Sequence, residues 1–309
     1  MQQKSKLSKL KKGLVYLFTK PRLIGIILLG KMSPLFPDKP YVELMYWLNM
    51  GKKLNLKNPV TFNEKLQWLK LYNHNPEYTV MVDKVKAKEY VAKLIGEEHI
   101  IPTLGVWDDP DDIDFDALPN QFVLKCNHNS GTGMCICRDK SKLDIEKVKA
   151  ELRKGLKENY YMRWREWPYK NVPRKILAEK FMVDESGTEL KDYKVFCMNG
   201  EPKVLFVASD RANKVCFDYY DMNLKHLDLK QGGDNYHGDV KLPKHFEEMK
   251  ELAAKISQGI PHVRTDFYEI NDKVYFGELT FFDSTGMAKF SPEEWDEKLG
   301  KLIVLPPHI

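Results

Sequence analysis

Lys125 stands just before Asn127-His128-Asn129-Ser130-Gly131-Thr132-Gly133, a small, polar, glycine-bearing segment between two apolar runs. The amides of such a loop can turn together onto a phosphate, with Lys125 as a point charge for the same anion. The segment reads equally as a plain hairpin loop. A second constellation is Arg264-Thr265-Asp266 with Glu278-Leu279-Thr280, two acids and an arginine at alternate positions of two facing strands. Carboxylates projecting from adjacent strands suit Mg²⁺ that carries phosphates, and an exposed Arg–Glu cross-strand pair has the same pattern. With an odd-membered loop from Ile270 to Asp272, Arg264 falls opposite Glu278. Val263, Thr265 and Phe267 then face Leu279, Gly277 and Tyr275 on the buried side. Two further segments are weaker. Asp83-Lys84, with Lys86, Lys88 and Tyr90, reads by itself as a solvated helix face. Leu177-Ala178-Glu179-Lys180-Phe181-Met182 reads as a crossing strand with a surface ion pair.

Other chemistries lack their residues. The chain has no GxxxxGK[ST] or GxGxxG phosphate loop, no HExxH pair and no GxSxG elbow. Asp109 and Asp111 flank a proline in an acidic loop and form no DxD-like sugar-nucleotide site. The five cysteines make no CxxC pair, which predicts reduced thiols and a cytoplasmic setting. A net charge of +5 suggests a basic protein, but residues 1–37 hold eight basic residues and no acidic one. Taking those eight from the 49 Lys and Arg leaves 41 against 44 acids, a net of −3. The body is therefore no nucleic-acid-binding surface. The longest apolar run, Ile24–Leu29, is far short of the roughly 20 residues of a spanning helix.

The elements that must position these residues follow from hydrophobic period and turn chemistry. Residues 1–39 are a basic arm ending at Pro34, Pro37 and Pro40. In it Leu7, Leu10, Leu14, Leu17 and Phe18 form one helical stripe beside Lys4, Lys6, Lys9, Lys11 and Lys12. Residues 40–99 predict helices, one starting at Thr61 as cap with Glu64 three residues on. Beyond residue 100 we expect strands at Ile101–Val106, Gln121–Cys126, Met134–Arg138 and Lys175–Phe181, with a helix at Asp144–Asn159. Further on, Tyr193–Met198 and Lys203–Ser209 flank the hairpin signal Asn199-Gly200, and Pro202 predicts an imperfect edge. Lys214–Tyr220, a helix at Pro243–Gln258, and a hairpin of Val263–Ile270 with Lys273–Phe281 complete an α+β chain.

Taken in order, Lys84, Lys125 and its loop, Glu179–Met182, Arg264-x-Asp266 and Glu278-x-Thr280 resemble the ATP-grasp superfamily. Leu56-Lys57-Asn58-Pro59, Thr61-Phe62-Asn63-Glu64-Lys65-Leu66-Gln67-Trp68, Phe122–His128, Asp192-Tyr193-Lys194 and Phe276–Phe281 resemble its teichuronopeptide-biosynthesis (TupA-like) branch, over roughly residues 40–300. The resemblance implies a multi-lobed ATP-grasp fold with nucleotide between two α+β lobes, residues 100–181 and 182–309, beside a helical N-terminal region. It implies ATP on Lys84, Lys125, the 127–133 loop, Glu179, Lys180, Phe181, Met182, Asp192 and Lys194. Mg²⁺ would sit on Asp266, Glu278 and Thr280, with Arg264 and Lys125 facing the charge that develops in catalysis. Thr280 stands where the superfamily usually has Asn, and Asp283 is a substitute oxygen.

The implied activity is a carboxylate–amine ligase working through an acyl phosphate, in bacterial surface-polysaccharide assembly, with a hexuronic acid and an amino acid as substrates. A kinase of a sugar precursor, or a glycosyltransferase of the same pathway, are the competing readings. The arm allows peripheral binding to an anionic membrane through residues 1–30, or packing on the protein's own core.

Overall fold

Helices gather in the first part of the chain because its apolar residues recur at helical spacing and its turns carry caps. The computed structural model describes residues 21–184, 190–209 and 215–307. The stripe from Leu7 to Phe18 lies outside these residues. Five helices come first: α1 (Pro21–Lys31), α2 (Asp38–Met50), α3 (Phe62–Tyr72), α4 (Glu77–Val82) and α5 (Lys86–Ile95). Thr61 caps α3 with a full capping box, its hydroxyl accepting from the Glu64 amide while Glu64 reaches back to the Thr61 amide.

Two antiparallel sheets follow. The smaller holds β1 (Thr103–Trp107), β2 (Phe122–Cys126), β3 (Met134–Cys137) and β4 (Ile176–Lys180) in the order β1-β4-β2-β3. Two helices, α6 (Ile145–Lys157) and α7 (Tyr160–Trp164), lie between β3 and β4. The sheet buries Phe122, Leu124, Ile176 and Ala178 against Val148 and Leu152 of α6.

The larger sheet contains β5 (Asp192–Met198), β6 (Glu201–Ser209), β7 (Cys216–Tyr220), β9 (His262–Ile270) and β10 (Lys273–Thr280), in the order β10-β9-β5-β6-β7. Between β7 and β9 come the short strand β8 (Lys230–Gln231) and helix α8 (Phe246–Ser257); β11 (Phe290–Ser291) pairs with β8, and α9 (Glu294–Lys301) follows. Residues from α3, α4 and α5 share one apolar core with this sheet and α8, so the helical region is built onto the large sheet. Pro202 sits in β6 beyond the stretch paired with β7 (Leu205–Ser209), beside an irregularity at Phe196/Cys197. The expected imperfect edge is thus local to one end of an interior strand, where no second neighbour asks for the missing N–H.

The β9–β10 register departs from the expected one. Asn271 and Asp272 both take positive φ (50° and 57°), making a two-residue turn in place of a three-residue loop. Continued regularly, that turn would put Glu278 opposite Thr265 on the core side. A bulge intervenes between Phe276↔Phe267 and Leu279↔Thr265, so Gly277 and Glu278 together oppose Asp266. Arg264 consequently pairs with Thr280, not Glu278, and Tyr275 pairs with Tyr268. The bulge turns Glu278 over onto the face that carries Arg264 and Asp266. Gly277 suits the position because a Cβ there would stand 3.1 Å from the Asp266 carbonyl oxygen.

Candidate functional site

Glu179, near the end of β4, joins two elements. Its carboxylate is buried and receives Lys88 Nζ of α5 and Lys125 Nζ of β2, each at 2.6 Å. Burial would raise this carboxyl, but Lys125 and Lys88 outweigh it and hold it below the usual range. Glu179 therefore aims Lys125 and does not extend free into a nucleotide pocket. Lys88 is no solvated residue: it is buried and also donates to the Ile101 carbonyl at 2.5 Å.

The loop after Lys125 divides into a pinned half and an open half. Asn127 donates to Asp83 Oδ1 and the Pro173 carbonyl, both at 2.8 Å. His128 Nε2 lies 3.2 Å from the Glu158 carbonyl, and the Asn129 amide donates to the Gly155 carbonyl at 3.1 Å. These three side chains point into the protein and fix the loop's root. Gly133 packs on Gly155, where a Cβ would meet its Cα at 2.9 Å. Ser130 and Gly131 are exposed, and Gly131 has φ +81° with open space around it. That leaves Ser130, Gly131 and Thr132 as the span able to address a ligand. Lys84 Nζ donates to the Asn129 carbonyl at 2.8 Å and lies 3.7 Å from Glu278. Burial lowers its amine, and Glu278 partly offsets that.

The second centre lies on one face of the large sheet. Arg264 grips Asp266 at two points, Nε–Oδ1 and Nη2–Oδ2, each 2.7 Å. Its Nη1 donates to Asp283 Oδ1 at 2.5 Å, and Nη2 lies 3.6 Å from Glu278. Lys194 donates to Asp266 and, at 2.6 Å, to Asp192. Asp266 is 1% exposed, so burial raises its carboxyl in spite of Arg264 and Lys194. Glu278 differs, its side chain being 38% exposed. What burial it has would raise it, but Lys84, Arg264, Lys194 and Lys125 bring it down to about 2. It is the acid of the cluster with room to accept a ligand.

Among the described residues no group of three His, Cys, Asp or Glu side chains could cage an ion. The donors present are nevertheless hard oxygens: Glu278 and Thr280, which line open space, and Asp266, whose two oxygens are held by Arg264 and Lys194. That set fits one Mg²⁺ arriving on phosphate oxygens and keeping its waters, since this ion rarely uses an all-protein cage. Asp283, the substitute oxygen, is held by Arg264 and by the Ser284 hydroxyl at 3.2 Å.

Three cavities meet around these groups. The largest, about 670 Å³, is walled by both sheets: Val123, Lys125 and Glu179 from one, Tyr268 and Gly277 from the other, with Lys180–Val183 along the crossing. A second, about 430 Å³, is lined by Lys84, Ser130, Arg264, Glu278 and Thr280 on one side and by Tyr160, Trp164 and Glu166 on the other. A third, about 360 Å³, also touches Arg264 and continues over Lys194, Phe206, Tyr219 and Gln231.

Lys125 borders the first of these cavities and Lys84, Arg264, Glu278 and Thr280 the second, with Asp266 buried behind Arg264. A family model described as TupA-like ATPgrasp matches residues 64–304, well over half of the chain. The chain belongs to this family. D-Alanine–D-alanine ligase from Helicobacter pylori is similar over 79% of this chain and 69% of its own, at 18% identity and TM-score 0.44. The same enzyme from Bacillus anthracis, complexed with ATP, is similar over 65% of this chain at 13% identity and TM-score 0.40. The chain spans 54% of that protein's length. No curated protein sequence matches it.

In this TupA-like ATP-grasp chain, sequence reasoning named Asp283 only as a substitute oxygen and missed Lys70 and Glu166, the polar groups behind the site. Lys70, buried in α3, donates to Gln67 Oε1 and Thr285 O at 2.9 Å and to Thr285 Oγ1 at 3.1 Å. Glu166 is buried nearby, and Asp283 opens a turn in which Ser284 and Thr285 take positive φ (48° and 52°). Consecutive left-handed residues that are not glycine are uncommon and cluster at functional sites. Nothing in the types or spacing of Lys70, Glu166 or Asp283 signals their meeting.

Proposed function

We propose that this chain is a Mg·ATP-dependent carboxylate–amine ligase that works through an acyl phosphate. The observation that carries the reading is the 670 Å³ cavity between the sheets, which Lys125 and Gly277 border just where Glu278, Arg264 and Lys84 begin. ATP in that cavity, its base toward Phe181, Met182 and Tyr268, would bring its γ-phosphate to these charges. Lys84 and Lys125, the latter aimed by Glu179, would bind phosphate oxygens, and the Ser130–Thr132 tip would close over them. Bound Mg²⁺ would neutralise phosphate charge between Glu278 and Asp266. A carboxylate oxygen would attack the γ-phosphorus as ADP leaves, and Arg264 would face the negative charge that develops on the acyl intermediate. An amine would then attack the acyl carbon, releasing phosphate and leaving an amide.

On the branch resemblance alone, the pathway is bacterial surface-polysaccharide assembly, with a hexuronic acid as carboxylate and an amino acid as amine. Contact with an anionic membrane through residues 1–30 is a separate reading, resting on the residue pattern of the arm. No helix among the described residues is long and apolar enough to cross a membrane. The surface of α1 and the following turn exposes Leu23, Ile27, Leu28, Met32 and Leu35, and the sequence before it is basic, a combination suited to lying on a bilayer.

The acyl phosphate supplies the test. With MgATP, a panel of uronic and other carboxylic acids, and hydroxylamine in place of the amine, the protein should form a hydroxamate and release ADP in equal amount. ADP release with phosphate on a hydroxyl and no hydroxamate would establish a kinase instead. Turnover of a nucleotide sugar, but not ATP, would establish a glycosyltransferase.

A further inference from the structure

Glu166 Oε1 is out of place. The residue is 2% exposed, and this oxygen has no hydrogen-bond partner. Leaving a buried carboxylate oxygen without a donor is expensive, and native structures satisfy such atoms. Lys70 is the cation of its surroundings, but its ammonium donates to Gln67 and Thr285. Arg264 donates to Asp266 and Asp283. Thr285 serves the carboxylate, yet no described residue supplies a donor to this oxygen.

Glu166 lines the 430 Å³ cavity that Lys84, Arg264, Glu278 and Thr280 also line, so a ligand held by Glu166 lies beside the reacting groups. Tyr160 and Trp164 flank it with aromatic surface, which attracts cations. The neighbouring 360 Å³ cavity shares Arg264 and Ser284 with it and is lined by Asp283 as well. There the buried Gln231 Nε2 lacks an acceptor, and Lys194 and Arg264 add positive charge. One cavity thus asks for a donor and the other for acceptor oxygens.

Resting on the ligase reading, we infer that the cavity lined by Glu166, Tyr160 and Trp164 is the site of the amine substrate, whose N–H groups Glu166 Oε1 receives. A primary ammonium is the matching class. The carboxylate substrate is left the cavity of Gln231 and Lys194, and Arg264 borders both. Glu166 can also take the proton that an ammonium must lose before its nitrogen attacks. Nitrogen then bonds to the acyl carbon as the bond to phosphate breaks, phosphate leaves with the electron pair, and the nitrogen's surplus proton passes to water. In keeping with that role, burial lifts the Glu166 carboxyl to about 7 against the pull of Lys70.

The test uses the full chain with Mg²⁺, a non-hydrolysable ATP analogue, and the standard amino acids and propylamine as probes, read by calorimetry. At least one amino probe should bind the wild type, its N-acetyl derivative should not, and Glu166→Gln should weaken binding tenfold or more with analogue affinity unchanged. Glu166→Asp, which keeps the charge, should fall between. Absence of any amino probe binding, binding of the N-acetyl forms, or equal binding to Glu166→Gln overturns the assignment. Failure of the analogue itself to bind overturns the nucleotide reading, and the amine assignment with it.

Discussion

Glu278 and Asp266 occupy adjacent strands and carry the same charge, yet their surroundings give them different tolerances. Glu278 is partly exposed and lies 3.6 Å and 3.7 Å from its two cations. Exposed pairs contribute little to stability. Glu278→Gln should therefore leave the melting temperature nearly unchanged while ADP release falls by about 100-fold or more, as expected when a transition-state charge loses its partner. Asp266 is enclosed, and it neutralises both Arg264 and Lys194. Asp266→Asn strands two buried cations and should cost roughly 3 kcal/mol in addition to turnover. Urea denaturation and a coupled ADP assay on the two variants separate these effects. Equal stability losses would mean that Glu278 is structural, and near-normal ADP release by Glu278→Gln would remove it from the metal site.

At the scale of elements, β9 begins with a histidine where the helical region meets the sheet. His262 is 2% exposed, with its ring edge-on to Phe62 of α3 at 5.1 Å and to Phe196 of β5 at 5.9 Å. Neither ring nitrogen has a hydrogen-bond partner. Burial pushes its pKa down to about 4 from the ordinary 6.5, despite the pull of Asp283. The unfolded chain therefore takes a proton below about 6.5 that the folded chain refuses until about 4. Stability from this group is complete above that window, falls as pH drops through it, and levels off below. The full difference is roughly 3 kcal/mol at 1.36 kcal/mol per unit. Carboxylates titrate in the same range, so the check is a difference: wild type minus His262→Leu, by urea denaturation from pH 7.5 to 4.5. A difference that does not change with pH would contradict this account of the α3–sheet contact.

Across the whole molecule, the basic arm and the body carry opposite net charge. The described part of the N-terminal region adds an exposed apolar surface, Leu23, Ile27, Leu28, Met32 and Leu35, to the arm's eight basic residues. Each basic residue near an anionic bilayer contributes about 1 kcal/mol, screened by salt. Full-length protein should float with phosphatidylserine or phosphatidylglycerol vesicles at low salt, release as salt is raised, and stay behind once residues 1–30 are deleted. No flotation at any salt concentration would return α1 to a purely structural role.

What the sequence determined by itself was local. The capping box at Thr61, the Asn199-Gly200 turn and the period of each strand depend on residues a few positions apart, so their chemistry is legible in the order of letters. The ordered motif set around Lys84, Lys125, Arg264 and Glu278 pointed to the family for a related reason: each motif is a short stretch of required side chains. Tertiary structure decided the rest. The bulge that turns Glu278 onto the Arg264 face follows from a two-residue turn and from the two strands' packing, not from spacing. Glu179 is claimed by lysines from α5 and β2, Asp283 by Arg264, and Glu166 is walled in with Lys70 of α3. Each of these acids has an ordinary sequence setting. Its role depends on which distant cation the fold leaves within a few ångströms, and on how much water is removed when it does.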